Sequence, residues 1–434
     1  MPRQFTRRSA LAGIATTLGG LAAGPQVVAA ERDGDRYLVD TRSLSASELS
    51  AHRVVHDLGA IDAAVVETDA PEGIDARHAP DVSLTLDLPV SARRLTAPAS
   101  TVDALSDLQW DKRYQRVETA HDHARGEGTR VAVIDTGVTP SHPDLRHAVN
   151  EELSRNLTDD GGDFTDVGLH GTHVSGIVAA GNRSGRGVVG TAPATELVAC
   201  RVFPEFGGAS FGTVLAGMVY AADVEADVAN MSLGAYPLPL ADSEVQLLLD
   251  LLQRAAAYGN RQGTVFVAAA GNDGANLDAD GLVISLPNEA DNVLSVGATG
   301  PIGFRWDDDA GDDDPMDDLR AAPTDPAPYT NYGEEAIDLS AGGGNLDRSA
   351  ADSDARWFYD LVFSTLPDGY GWLAGTSMAA PQVAAAAALV GDRYPDADAA
   401  AVGRHLRETA EGASAQAYHG AGHLDTVAAV TEEP

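Results

Sequence analysis

The stretch TRVAVIDTGV, residues 129–138, decides the fold. Four consecutive apolar residues, Val131 to Ile134, run into Asp135 and a glycine turn. An unbroken apolar run closed by a turn is the pattern of a strand covered on both faces. Downstream the chain keeps alternating. LHGTHVSGIVAAG (169–181) reads as a helix, TELVACRVF (195–203) as a strand and FGTVLAGMVYAADV (211–224) as a helix. ADVANMSLG (226–234) is a strand, SEVQLLLDLLQRAAAYGN (243–260) a helix, and TVFVAAAGN (264–272) and VLSVGAT (293–299) are strands. A small-residue helix, SMAAPQVAAAAALVGDRY (377–394), and DAAAVGRHLRETA (398–410) close the pattern. Strands and helices in this order predict an α/β domain: three layers, with a mostly parallel central sheet.

Upstream the character differs. RYLVDT (36–41) and IDAAVVETDA (61–70) read as strands, SASELSAHRVVHDLG (45–59) as a helix opening at a Ser cap, and DVSLTLDLPV (81–90) as a third strand. These predict a small α+β unit, joined to the main domain by the polar link SARRLTAPASTVDALSD (91–107). No internal repeat is detectable.

Composition bounds the setting. With 29 basic against 65 acidic residues the net charge is −36, which argues against a nucleic-acid partner, and Lys112 is the only lysine. An acidic, lysine-poor surface suits concentrated salt, where at about 1 M the Debye length is roughly 3 Å and self-repulsion is screened. The alternative is a merely acidic secreted protein. Cys200, the only cysteine, excludes an intramolecular disulfide and in its apolar setting reads as a buried, inert thiol rather than a catalytic one.

The chain opens with Arg3, Arg7 and Arg8, an apolar stretch from Ala10 to Gly24, and small residues at Ala29 and Ala30. This reads as a cleaved export signal over residues 1–30. The paired arginines after Thr6 resemble a twin-arginine signal, the rival being a chance pair in an ordinary signal. The apolar stretch is too short and glycine-rich to span a membrane, and no later segment looks membrane-spanning.

Four positions carry the chemistry. Asp135 lies at a strand's carboxyl end, where catalysts gather in open parallel sheets. His170 and His173 in HGTH share a helix face, as metal ligands do, but the glutamate of the helical zinc-protease pattern is missing. Ser377 in AGTSMAAP opens a helix, whose N-terminal N–H groups favour a developing negative charge. Asn272 in AAAGNDG ends another strand, where an amide can donate to an oxyanion. A nucleophile, a base, an orienting carboxylate and an oxyanion donor together are what acyl transfer needs.

These motifs, VAVIDTGV, HGTHVSG, NMSLG, AAAGN and GTSMAAP, resemble the subtilisin-like serine proteases in content and in order, over roughly Leu108 to Val430. With the acidic composition, the chain also resembles the secreted halophilic archaeal members, the halolysins. The resemblance implies Ser377 as nucleophile, His170 as general base, Asp135 as its orienter, Asn272 as oxyanion donor and His173 as structural. It also implies that Ser232, Leu233 and Gly234, with Gly207 and Gly208, hold extended peptide, and that Ala269, Ala270 and Gly271 line the pocket before the cut. No cofactor is required for that chemistry. Asp144 in SHPDLR resembles a structural calcium ligand, although Arg183 and Arg186 stand in the loop that would complete the site.

The resemblance gives the rest of the chain a meaning. Residues 31–105 become an inhibitory, folding-assisting propeptide and linker, with cleavage expected between Arg94 and Asp107, and 106–434 the catalytic domain. Eight aspartates between Asp307 and Asp318 form an acidic insertion at about 306–326, read as a solvated loop rather than a calcium site. A second insertion, 342–372, either reshapes the primed side of the cleft or decorates the surface. The whole reads as a secreted zymogen acting on proteins and peptides, monomeric and unanchored. Its rivals are a narrow-specificity processing protease and a catalytically silent binding module.

Overall fold

The computed structural model describes residues 32–434 except 85, 87, 91, 96–104, 183–184, 307–313, 348, 351–355 and 413–414. The expected signal over 1–30 lies outside the described residues, as does most of the aspartate run.

The N-terminal unit comprises β1 (Arg32–Asp40), α1 (Ala46–Leu49), β2 (Arg53–Leu58), β3 (Ala63–Glu67) and β4 (His78–Leu84), paired antiparallel in the order β2-β3-β1-β4. One expectation fails here. Residues 45–59 do not form one helix: Ser45 and Glu48 cap each other reciprocally, but α1 stops after four residues. Val54 and Val55 favour the pleat, and pairing with β3 turns 53–58 into a strand. A short strand, β5 (Arg93–Arg94), follows.

The main domain begins with α2 (Trp110–Tyr114) and α3 (Val117–Ala120). Then come β6 (Arg130–Asp135), β7 (Arg155–Asn156), α4 (His170–Ala179), β8 (Glu196–Arg201), β9 (Ala209–Ser210), α5 (Phe211–Asp223), β10 (Val228–Met231) and β11 (Ala235–Pro239). After α6 (Ser243–Gln262) the strands β12 (Val265–Ala269), β13 (Val283–Leu286), β14 (Val293–Thr299), β15 (Leu339–Gly342), β16 (Val362–Leu366) and β17 (Gly369–Leu373) lead into α7 (Thr376–Arg393). The chain closes with α8 (Ala399–Glu408), α9 (Gln416–His419) and α10 (Thr426–Thr431). The central sheet is parallel throughout, in the order β15-β14-β12-β10-β6-β8-β7.

The opening stretch explains the layering. Val131 and Val133 of β6 enter one core with α4 and α7, while Ala132 and Ile134 enter the other with α5 and α6. Both faces of β6 are therefore dry, as its unbroken apolar run requires. Cys200 is buried in the second core, where burial pushes its thiol up to about 12. Lys112 is 7% exposed, with its ammonium 3.0 Å from Asp111.

The N-terminal sheet lays Leu38, Leu58, Val65 and Ala79 into the core shared with α5 and α6. Asp81, fully buried on β4, accepts the Gly212 N–H in the first turn of α5 at 2.9 Å, where a carboxylate meets the positive end of the helix. Arg254 of α6 donates to the carbonyls of Ile61 and Asp62 at 2.9 and 3.2 Å.

The two insertions meet at Asp360. Its carboxyl accepts the N–H groups of Gly303 and Phe304 at 3.0 and 2.8 Å and the Trp306 indole at 2.7 Å. Burial outweighs those donors and lifts its pKa to about 7. Among the described residues no helix is long and apolar enough to cross a membrane.

Candidate active site

Asp135 closes β6, and His170 is the first residue of α4. Both are buried, and His170 Nδ1 lies 2.9 and 3.0 Å from the two Asp135 oxygens. Burial pulls the His170 pKa down, but the Asp135 charge and hydrogen bond more than offset this, so the net shift is upward. Its Nε2 has no hydrogen-bond partner among the described residues. The loop carrying His170 is held by Asp166, which accepts from the Thr136 hydroxyl and from the Thr172 N–H and hydroxyl, while the Gly171 N–H donates to the Thr136 oxygen.

His173 is placed differently. Its Nε2 sits 3.2 and 3.3 Å from the carbonyl oxygens of Val362 and Gly371, tying α4 to β16 and β17. Burial pushes its pKa down to about 3, so the ring is neutral and donates. The histidine pair therefore shares no ligand.

Ser377, 5% exposed, stands in the first turn of α7. Its hydroxyl donates to the Ser232 carbonyl at 3.1 Å, and the Ser232 hydroxyl donates back to the Ser377 carbonyl at 2.8 Å. Ser232 and Leu233 follow β10, which lies beside β6, so the serine and the Asp–His pair share the carboxyl edge of the sheet. Asn272 follows β12. Its amide oxygen accepts the Thr376 N–H and hydroxyl at 2.9 and 3.1 Å, which makes its nitrogen the end that can donate.

One contributor was missed from the sequence. Asn331, fully buried, donates to the Ala270 carbonyl and an Asp273 oxygen, and accepts the N–H groups of Asp273 and Ala275. It thereby straps both sides of Asn272, and a Cβ on Gly271 would overlap the Asn331 amide. Asn331 lies about 60 residues from Asn272 in the chain, and no spacing rule connects them.

The expected substrate positions take the following places. Ala269 and Ala270 are buried at the end of β12, and Gly234 lies against the Leu286 carbonyl. Gly207 has a φ of 100°. Gly208 faces chain: a Cβ there would overlap the Leu84 carbonyl, because β4 pairs with β9 at Leu84↔Ala209 and Ser83↔Ser210. Pro89 then lies beside Gly375, its Cδ 3.6 Å from where a Cβ would stand. Leu84 beside β9, Pro89 beside Gly375 and Arg93 beside β17 thus mark three points along the edge of the site. All three lie upstream of the 94–107 interval expected for cleavage.

Asp144 is engaged by protein donors. Its Oδ2 accepts the Val188 N–H at 3.0 Å and the Tyr370 hydroxyl at 2.9 Å, so that oxygen is not left open for a cation. The Asn182 oxygen is likewise taken by the Gly187 N–H. Among the described residues no group of three or more His, Cys, Asp or Glu side chains is arranged to hold a metal.

Residues 126–424 match the model of the subtilase family, peptidase S8. The chain belongs to the subtilase family. It is 31% identical to the M-protease of Shouchella clausii over 394 residues, 90% of this chain and 85% of the relative. It is 33% identical to subtilisin Savinase of Lederbergia lenta over 320 residues, 72% and 96% of the two chains. The epidermin leader peptide processing serine protease of Staphylococcus aureus has the same fold, with a TM-score of 0.74 at 22% identity over 92% of this chain and 99% of that one. This subtilase is accordingly a serine endopeptidase acting on protein substrates.

Proposed function

We infer that this subtilase is an exported, salt-adapted endopeptidase made as a zymogen, cutting peptide bonds with Ser377, His170 and Asp135. The observation that carries the reading is the buried imidazole anchored to Asp135 through Nδ1, whose Nε2 carries no hydrogen bond among the described residues. Such a ring is fixed in the tautomer a general base needs. Ser377 Oγ turns from the Ser232 carbonyl, gives its proton to His170 Nε2 and attacks the substrate carbonyl carbon. The oxyanion takes hydrogen bonds from the Asn272 amide and the Ser377 N–H at the start of α7. His170 then returns the proton to the departing amine, and water cleaves the ester. Every group involved is a side chain or backbone amide of this chain, so the chemistry needs no cofactor.

Residues 31–105 act as propeptide and linker. The support is the sheet's contact with α5 and α6 and the position of Pro89 beside Gly375. Salt adaptation rests on the composition, since the relatives named above are bacterial; export by the twin-arginine route rests on Arg7 and Arg8. A narrower processing role is the second reading. It is favoured by the insertion that places Trp357 and Asp368 beside Arg93 and Arg94 of β5.

The deciding experiment is hydrolysis of casein and chromogenic peptides in multimolar NaCl by the wild type and by Ser377→Ala. Loss of activity by several orders of magnitude in the variant is expected. A folded, processed wild type that cuts nothing refutes the broad endopeptidase reading.

A further inference from the structure

Three residues of the link between the N-terminal unit and the catalytic domain are held as a strand. Arg93 and Arg94 of β5 pair antiparallel with Trp372 and Gly371 of β17, and the Leu95 N–H donates to the Tyr370 carbonyl at 2.9 Å. The side chains add two contacts. The Arg93 guanidinium lies 5.1 Å above the Trp357 ring, and Arg94 pairs with Asp368. Trp357 and Asp368 both come from the 342–372 insertion, whose β16–β17 hairpin offers the edge that β5 occupies. On the other side of the site Leu84 is fixed to Ala209, and between the two Pro89 lies beside Gly375, two residues from Ser377.

We propose that the β17 edge, with Trp357 and Asp368, is a docking site for the leaving half of the enzyme's own chain. It aligns the stretch between Leu84 and Val90 with Ser377, so that self-cleavage falls there and β5 stays on the catalytic body as the third strand of its hairpin. This rests on the serine mechanism proposed above.

The physical argument is a two-point suspension. A segment paired at Leu84 and again at Arg93 has eight residues between the two points, and the bond presented to the nucleophile lies inside that interval. Leu95 lies past the second point, its N–H held by the Tyr370 carbonyl. The step is ordinary acyl transfer. Ser377 Oγ forms the ester as the C–N bond breaks, its proton passes through His170 to the new amine, and water releases the N-terminal unit. The new amine remains tethered through β5, whose effective concentration at β17 is that of an intramolecular strand.

The test uses the full chain in multimolar NaCl, following conversion by intact mass and N-terminal sequencing, with Ser377→Ala as the uncut reference. The expected N-terminus of the catalytic fragment lies between residues 85 and 90, with conversion first-order at every dilution. Arg94→Asp should slow conversion several-fold to about tenfold, the range of an ion pair and the strand alignment it supports. Adding Asp368→Arg should restore the rate by exchanging the charges. Once processed, the Arg94→Asp enzyme should hydrolyse a short chromogenic peptide without primed-side residues at the wild-type rate. A Ser377-dependent N-terminus between Thr96 and Ser106 overturns the inference alone. So does an Arg94→Asp rate equal to wild type, or one not restored by the exchange. No Ser377-dependent cut at all overturns the inference together with the serine mechanism. Thermal unfolding of each substitution in the Ser377→Ala background separates a slow cut from a chain that failed to fold.

Discussion

Replacing Asn331 should cost this enzyme catalytic rate before it costs substrate affinity. The side chain makes four hydrogen bonds, two to N–H groups of Asp273 and Ala275 and two from its amide to the Ala270 carbonyl and an Asp273 oxygen. In Asn331→Ala the two N–H groups, on a partly exposed loop, regain water, so their loss is worth about 0.5–1 kcal/mol each. The Ala270 carbonyl is buried and stays unpaired, at about 1–3 kcal/mol. The total, about 2–5 kcal/mol, loosens the strap that holds Asn272. Losing an oxyanion donor outright costs about 10²–10³ in kcat, and displacing it rather than deleting it should cost about 10–100, with KM changed by less than about twofold. Asn331→Asp should be as severe, since a carboxylate would oppose both the Ala270 carbonyl and Asp273. The assay is steady-state kinetics in high salt on the Asn331 variant, on Asn272→Ala and on the pair. If Asn331 acts through Asn272, its substitution changes little once Asn272 is gone. Equal losses in both backgrounds, or a folded Asn331→Ala with unchanged kcat, would refute the reasoning.

Five further outcomes follow from the geometry. Asp135→Asn should lower kcat by about 10⁴ and move the acid limb of the pH–rate profile to lower pH, because the Asp135 charge raises the His170 pKa. The same pair stabilises the fold below the unfolded histidine pKa and stops doing so as pH rises through the raised one, which thermal melts of Ser377→Ala across pH 6–9 would register. Gly208→Val should push the Leu84 carbonyl off β9 and lower the stability of full-length Ser377→Ala by about 1–3 kcal/mol in denaturant titrations. For Asp360, lifted to about 7 by burial, the folded state binds the proton more tightly, so stability should fall as pH rises from about 4 to 7; the slope should flatten in Asp360→Asn. Asp144→Asn should lower Tm equally with chelator or with added calcium, because the lost contacts are to Val188 and Tyr370; a larger loss in calcium would contradict the donor arrangement.

The parts of this fold that were legible share one property: their signal is local. The apolar run of β6, the periodic α6 and the small-residue α7 each satisfy a pattern within a dozen or so residues, and their order dictates the layers. The strand and helix ends that carry Asp135, His170, Asn272 and Ser377 were legible for the same reason. What escaped was set by partners far along the chain. β2 became a strand because β3 offered an edge, overriding a genuine Ser45 cap. Asn331, Asp166 and Asp360 are ordinary polar residues in sequence, and only closure of the chain brings donors onto them. Asp144 shows the converse: its motif suggested a cation, and a tyrosine hydroxyl from β17 takes the place.

The solitary lysine has a practical consequence. Lys112 is nearly inaccessible and paired with Asp111, so reagents that acylate amines meet no exposed lysine on the folded catalytic body. Every backbone scission, by contrast, creates one new α-amino group. Tagging the native protein with an amine-reactive dye therefore counts cuts above the single α-amino group of the uncut chain, a built-in tally of how far a preparation has digested itself.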